Sequence, residues 1–193
     1  LPIEIASRKG TVVFDTDEHV RGETSMESLA KLKPAFKKDG TVTAGNASGL
    51  NDAAAAVVIA DAAAAERQGL QPLARLVAYA TAGVDPRFMG EGPIPAATLA
   101  LERAGLKLGD MDLIEANEAF AAQALAVAKG LGFDLAKTNP NGSGISLGHP
   151  IGATGAVITV KALYELQRIG GRYALVTMCI GGGQGIAAIF ERL

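Results

Sequence analysis

The side chains best suited to chemistry stand in three glycine-framed loops. Cys179 is followed by the run Ile180-Gly181-Gly182-Gly183-Gln184-Gly185. His149 stands between Gly148 and Pro150, with Gly152 close behind, and Asn117 opens the run Asn117-Glu118-Ala119-Phe120. A thiol has a reference pKa of roughly 8.5, near enough to neutrality to exchange protons in water. Imidazole acts as base or donor in a neighbouring range, and glycine amides, unshielded by side chains, can crowd around a negative oxygen. Each residue also has an ordinary structural explanation. A cysteine ending an apolar strand is usually buried and inert, and an asparagine at a strand-to-helix junction is by default a helix N-cap. A turn histidine often does no more than satisfy a hydrogen bond. The glycine density around His149 and Cys179 tips both toward function, because that much backbone freedom is costly without a use. Pro150 also pushes His149 toward an extended backbone. A fourth polar run, from Thr43 to Asp52, precedes the apolar part of the chain.

The elements that must position these loops read as alternating strands and helices. Residues 55–60 form a continuous apolar strand candidate, followed by a short Ala-rich helix that Gly69 would terminate. Strands are predicted at 73–80 and 111–116. Pro93 and Pro95 open a helix running to about Ala104, and further helices cover 118–131 and 153–169, the last closed by Gly170 and Gly171. Strands at 173–178 and 185–190 form a hairpin through the glycine run. Two-sided apolar strands alternating with helices imply an α/β sheet covered on both faces, in the order βαβαβαββ. Ligands of such sheets gather at the carboxyl ends of the strands. Before Asp39 the chain is more charged and irregular, with a strand at Val12-Val13-Phe14 and a helical pattern over 25–36. Composition then shifts to Ala, Gly and Val, dividing the chain into a peripheral segment, 1–42, and a compact domain, 43–193.

Composition narrows the function classes. The 193 residues suffice for one full core plus an appendage. A net charge of −2 gives no electrostatic case for a nucleic-acid or anionic-membrane partner, and no apolar run reaches the roughly 18 residues of a spanning helix. Cys179 is the only cysteine, so no internal disulfide can form, and a reducing, cytoplasmic setting is expected. The opening Leu1-Pro2-Ile3-Glu4-Ile5 lacks an initiator Met and a signal-peptide pattern and reads as a strand entered partway. A fragment, or one piece of a two-part protein, is expected.

Together the loops resemble the thiolase family, through its NEAF, GHPxGxTG and CxGGGxG motifs. They stand here as Asn117 to Phe120, Gly148 to Gly155 and Cys179 to Gly185, in matching order, and the segment GNASGLNDAAAA, ending at Ala56, matches as well. The resemblance covers essentially the whole chain. It implies the layered α/β half of a thiolase, with the tail of a peripheral CoA-binding loop domain at the front. The implied reaction is the reversible Claisen condensation of two acetyl-CoA molecules to acetoacetyl-CoA and CoA. The resemblance makes Cys179 the acid/base that exchanges a proton with the acetyl methyl. It makes His149 the activator of the acyl-carrying cysteine and a donor to the enolate oxygen. Asn117 would hold a water supplying the second donor, and the Gly181 N–H would stabilise the tetrahedral oxyanion. Ser48 and Ala44 match the run touching the pantetheine arm, while Arg21 and Ser28 fall where the loop domain meets the nucleotide. Met89, Phe120 and Phe36 would line the acyl or pantetheine tunnel. No resident cofactor is implied, since the CoA thioester is the substrate.

One departure matters. Thiolases use two cysteines, and the acyl-carrying one lies in the N-terminal half, whereas this chain has Cys179 alone. The resemblance therefore implies a partner half that brings the nucleophile, and assembly as a homotetramer or dimer. The run from Met89 to Pro95 looks more like short-chain biosynthetic thiolases, such as those of polyhydroxybutyrate or ketone synthesis, than degradative ones of fatty acid metabolism. Three alternatives stand beside this reading: a longer-chain 3-ketoacyl-CoA thiolase, a non-catalytic thiolase-like CoA or lipid binder, and a ketosynthase-type condensing enzyme. The last is expected to carry a second histidine where Asn117 stands.

Overall fold

The computed structural model describes residues 1–193, which divide by their contacts into two compact units, Leu1–Lys33 and Pro34–Leu193. The composition shift near 42–43 does not coincide with this division. Beyond Pro34 the backbone is already tied into the second unit's leading loop, where the Ala35 N–H donates to the Val42 carbonyl at 2.8 Å.

In the first unit, β1 (Ile3–Ser7) and β2 (Gly10–Phe14) pair antiparallel from Ile3↔Phe14 to Ser7↔Gly10. The helix α1 (Met26–Ala30) starts at Ser25 in a capping box with Ser28. It is much shorter than the pattern over 25–36 suggests. Pro34 brings no N–H and disfavours helical backbone at Lys33, so the apolar spacing beyond Ala30 cannot be used by a helix.

The second unit begins its regular structure at α2 (Ala62–Arg67), where the Asp61 carboxylate accepts from the Ala63 and Ala64 N–H groups. There follow β3 (Ala74–Gly83), α3 (Pro93–Ala104), β4 (Leu113–Ala116), α4 (Ala121–Leu131), the single turn α5 (Gly144–Leu147), α6 (Thr154–Ile169), β5 (Tyr173–Ile180) and β6 (Gln184–Arg192). Left-handed glycines end α3, α4 and α6 at Gly105, Gly132 and Gly170.

The sheet order is β3-β6-β5-β4, with β6 antiparallel to both neighbours and β4 parallel to β5. Strands β3, β4 and β5 therefore run in one direction and deliver their carboxyl ends to one edge. Helix α3 covers one face, with Ala96, Ala97, Ala100 and Leu101 against Ala80, Ile114, Leu175, Ala187 and Ile189. Helix α6 covers the other, with Ile158, Ala162 and Leu166 against Leu113, Ala174 and Val176. Fully burying a side chain such as Leu175 or Ile189 contributes about 1.5–3 kcal/mol, so this double-sided core fixes the edge from which the loops spring. The α/β layering agrees with the sequence pattern.

One predicted element is missing. Residues 55–60 form no strand, and Val58 and Ile59 are 93% and 86% exposed. Apolar character on both sides signals a strand with layers on both faces, but it does not name its neighbours. Within this chain the sheet ends at β3 and β4, and neither pairs with the segment. No helix is long and apolar enough to cross a membrane.

Candidate active site

At the carboxyl end of β4 the chain is held open by a side chain acting as a strand. Asn139 Oδ1 accepts from the Ala116 N–H at 2.9 Å, and its Nδ2 donates to the Ala116 carbonyl at 2.8 Å. Beyond β4, the Asn117 N–H donates to the Thr177 carbonyl at 3.0 Å, carrying the pairing with β5 one residue further. Asn117 is only 3% exposed, and its Oδ1 has no partner. It is not the helix cap that its position suggests. Helix α4 starts at Ala121 with Phe120 in the cap position and no side-chain cap. The carboxamide instead turns to His149, with Nδ2 at 3.4 Å from Nε2.

His149 is fixed from three sides. Its backbone N–H is shared between the Gly49 carbonyl at 3.1 Å and Asn51 Oδ1 at 3.2 Å. Its Nδ1 lies 2.7 Å from the hydroxyl of Thr154, which donates to the Pro150 carbonyl at 2.9 Å. Gly148 has φ +96, and a Cβ there would lie 2.5 Å from Asn51 Oδ1, so only glycine allows this close passage. Burial lowers the pKa of the imidazole and favours its neutral form.

The polar run before the apolar segment laces these loops together. The Ser48 N–H donates to the Ala119 carbonyl at 3.0 Å, and the Ala121 N–H to the Asn46 carbonyl at 2.9 Å. Ala47 bridges Phe120, and Leu50 bridges His149. Beneath Asn117, the fully buried Glu115 receives Lys161 Nζ at 2.9 Å, and the same ammonium donates to the Gly142 carbonyl at 2.5 Å. Burial raises the Glu115 pKa, and the Lys161 hydrogen bond opposes that rise.

Cys179 lies near the end of β5, paired with Gly185 across the hairpin, and is 6% exposed. Burial pushes its thiol pKa up. Two residues before it in β5, the Thr177 carbonyl accepts from the Asn117 N–H, which places Cys179 just beyond the point where β5 meets the Asn117 loop. No hydrogen bond joins the thiol to Asn117 or His149. Gly181 is exposed in the turn that follows, where Gly182 and Gly183 take positive φ.

The structure thus brings Asn117 and His149 into contact, with Ser48 and Phe120 in the strand-like lacing beside them, Cys179 near the end of β5 and Gly181 in the turn after it. Phe36, largely exposed, meets Phe120 edge-on at 6.0 Å between ring centroids. Ala44 is exposed two residues before the lacing begins. Met89 lies in the 3-10 turn Pro86–Glu91, next to Gly90, whose carbonyl accepts from Gln123 at 3.0 Å. Arg21 and Ser28 belong to the first unit and are engaged within it, Arg21 with the Glu18 carbonyl and Ser28 in the α1 capping box. Three site residues escape sequence reasoning: Thr154, Asn51 and Asn139. Thr154 and Asn51 lie inside motif segments, but nothing in their spacing says which atom they meet. Two surface hollows, one lined by β3 residues and Arg103 and the other by Leu108, Met111 and Lys137 among others, include none of Asn117, His149 and Cys179. No cluster of three His, Cys, Asp or Glu side chains could hold a metal. The chemistry available is proton transfer through a neutral imidazole and a buried thiol, beside an amide with an unsatisfied oxygen.

Known proteins resemble this chain in sequence and in fold. A family model described as thiolase, C-terminal domain, matches residues 70–192, and one described as thiolase, N-terminal domain, matches residues 1–63. The chain is 71% identical to the beta-ketothiolase BktB of Cupriavidus necator and 57% identical to the acetyl-CoA acetyltransferase of Shinella zoogloeoides. Each match covers 100% of this chain and 49% of the relative. The crystal structure of the Bacillus anthracis acetyl-CoA acetyltransferase superposes with a TM-score of 0.93 at 55% identity. That of human mitochondrial 3-ketoacyl-CoA thiolase superposes at 0.89 and 52%, and each alignment covers 100% of this chain and 49% of the solved one. The chain therefore spans about half the length of the proteins it matches.

Proposed function

We propose, from the premise that this chain belongs to the thiolase family, that it forms the proton-transfer half of an acyl-CoA acyltransferase site. The whole protein would condense two acetyl-CoA molecules to acetoacetyl-CoA and CoA, reversibly. The nucleophilic cysteine comes from the N-terminal half that this chain lacks. In the loading step, His149 Nε2 takes the proton of that cysteine, whose sulfur attacks the first acyl-CoA. Cys179 gives its proton to the departing CoA thiolate and becomes a thiolate beside an imidazolium. In the condensing step, Cys179 takes a methyl proton from the second acetyl-CoA. The enolate oxygen accepts from His149 Nε2–H and from a water held by Asn117, and the carbon attacks the acyl thioester. The C–S bond breaks, acetoacetyl-CoA leaves, and the released nucleophilic thiolate takes back its proton from His149. The Gly181 N–H supports the tetrahedral oxyanion, where loss of one donor typically costs about 2.7–4 kcal/mol of barrier. Burial of Cys179 serves this scheme, since a raised pKa makes its thiolate a stronger base once formed.

The observation that carries the reading is the 3.4 Å contact between Asn117 Nδ2 and His149 Nε2 at the sheet edge where β5 delivers Cys179. Ser48 and Ala44 are assigned to the pantetheine arm, Arg21 and Ser28 to the nucleotide end, and Met89, Phe120 and Phe36 to the tunnel walls. The protein is proposed to act as a homotetramer or dimer. Likeness to the human 3-ketoacyl-CoA thiolase favours a second reading, the same chemistry on longer acyl chains. Cys179→Ala in the complete protein tests the first claim. Condensation is expected to vanish while loading stays detectable, because CoA can depart as a thiolate; undiminished condensation would remove Cys179 from the mechanism.

A further inference from the structure

We infer that Thr154 is a positioning residue that fixes His149 in the tautomer carrying its proton on Nδ1 and leaving Nε2 free as a base. The inference rests on the proposed role of His149 and deepens it. Thr154 is 2% exposed, so its hydroxyl cannot turn to bulk water. That hydroxyl has one proton and two neighbours, the Pro150 carbonyl at 2.9 Å and His149 Nδ1 at 2.7 Å. A carbonyl oxygen can only accept. If the hydroxyl donates to Pro150, its oxygen is left to accept from Nδ1–H. The reverse arrangement, hydroxyl to Nδ1, would put the ring proton on Nε2. It would then face the N–H of Asn117 Nδ2 at 3.4 Å, donor against donor. The first arrangement makes these three contacts one directed chain, from the Asn117 amide to His149 Nε2, from Nδ1–H to Thr154, and from Thr154 to Pro150, and leaves the unpartnered Asn117 Oδ1 for the water assigned to it.

Without Oγ1, a proton on Nδ1 would be left without an acceptor in a buried site, which favours its transfer to Nε2. The base would then be blocked at the atom that must receive the cysteine proton. The backbone is spared this loss. The Pro150 carbonyl keeps the Ala153 and Thr154 N–H groups at 2.7 and 2.8 Å, so the start of α6 does not depend on the hydroxyl.

The test uses the complete protein, with its N-terminal half, and acetyl-CoA as the probe. Thr154→Val, nearly equal in shape, is expected to lower kcat of both loading and condensation by roughly 10–100-fold, the size of loss seen when the partner orienting a metal-bound histidine is removed. KM should stay close to wild type, as for loss of an interaction used only in the transition state. Thr154→Ser is expected to restore the rate. Imidazole 15N resonances, assigned by their disappearance in His149→Ala, should show a protonated Nδ1 in the wild type and a protonated Nε2 in Thr154→Val. A natively folded Thr154→Val with wild-type kcat would overturn the inference, as would a neutral wild-type ring protonated on Nε2. If Thr154→Val does not fold, Thr154→Ala and the wild-type resonances decide the question. Should His149→Ala itself leave loading intact, the proposed function fails; should only the Thr154 variants prove silent, that function stands and this inference falls.

Discussion

Burial acts in opposite senses on the two ionisable side chains at the sheet edge. It lowers the His149 pKa, keeping the imidazole neutral into more acid solution, and raises the Cys179 pKa, keeping the thiol protonated into more alkaline solution. A base with a lowered pKa loses activity only once the pH falls through that lowered value. Acyl loading, which needs neutral His149, should therefore keep more than half its rate at pH 6.5 and fall to half only in more acid solution. A loading rate already halved at or above pH 6.5, measured by single-turnover kinetics in the complete protein, would show that burial does not govern this ring. At this scale, glycine framing singles out His149 and Cys179 in the sequence, and the structure gives the framing glycines close approaches to fill, Gly148 to Asn51, Gly183 to Val84 and Gly185 to Gly92. Thr154, Asn51 and Asn139 are not legible. Each is a small polar residue whose partner is chosen by the path of a loop, and local spacing carries no information about that path.

Between elements, the Glu115–Lys161 pair ties β4 to α6 and, through the Gly142 carbonyl, to the loop that leads to His149. Glu115 is fully buried with one oxygen unpartnered, so its charge is tolerated only while Lys161 faces it. Lys161→Met should cost on the order of 3–5 kcal/mol, the penalty of leaving one buried charge alone. The double variant Glu115→Leu with Lys161→Met should recover most of that loss. Thermal unfolding of the wild type and these two variants gives the loss and its recovery, and a harmless Lys161→Met would show that the carboxyl is already protonated. Helix boundaries were largely readable, because Pro93, Asp61 and the left-handed glycines 69, 105, 132 and 170 are local signals for local events. Apolar spacing overstates the length of α1, because it carries past the break imposed by Pro34. The pairing order β3-β6-β5-β4 was not readable, since it is decided by contacts between residues as distant as Ala74 and Arg192.

For the molecule as a whole, the unpaired segment 55–60 carries the most information about what this chain lacks. Val58 and Ile59, consecutive and therefore on opposite sides of any extended strand, are both exposed here. A segment exposed in the working protein would tolerate a charge at either position, and an edge strand with one wet face would tolerate it at one of them. Residues 1–63 match the thiolase N-terminal domain, and the chain spans about half of its relatives. These two facts support placing the segment as an inner strand of a sheet completed by the other half. In the complete protein, Val58→Lys and Ile59→Lys should each then destabilise by about 3 kcal/mol or more, because each would bury an unpaired ammonium. Reduced melting temperature and loss of activity in both variants are the expected result. If either lysine is accepted at wild-type stability, one face of the segment is open to water and the inner-strand placement is wrong.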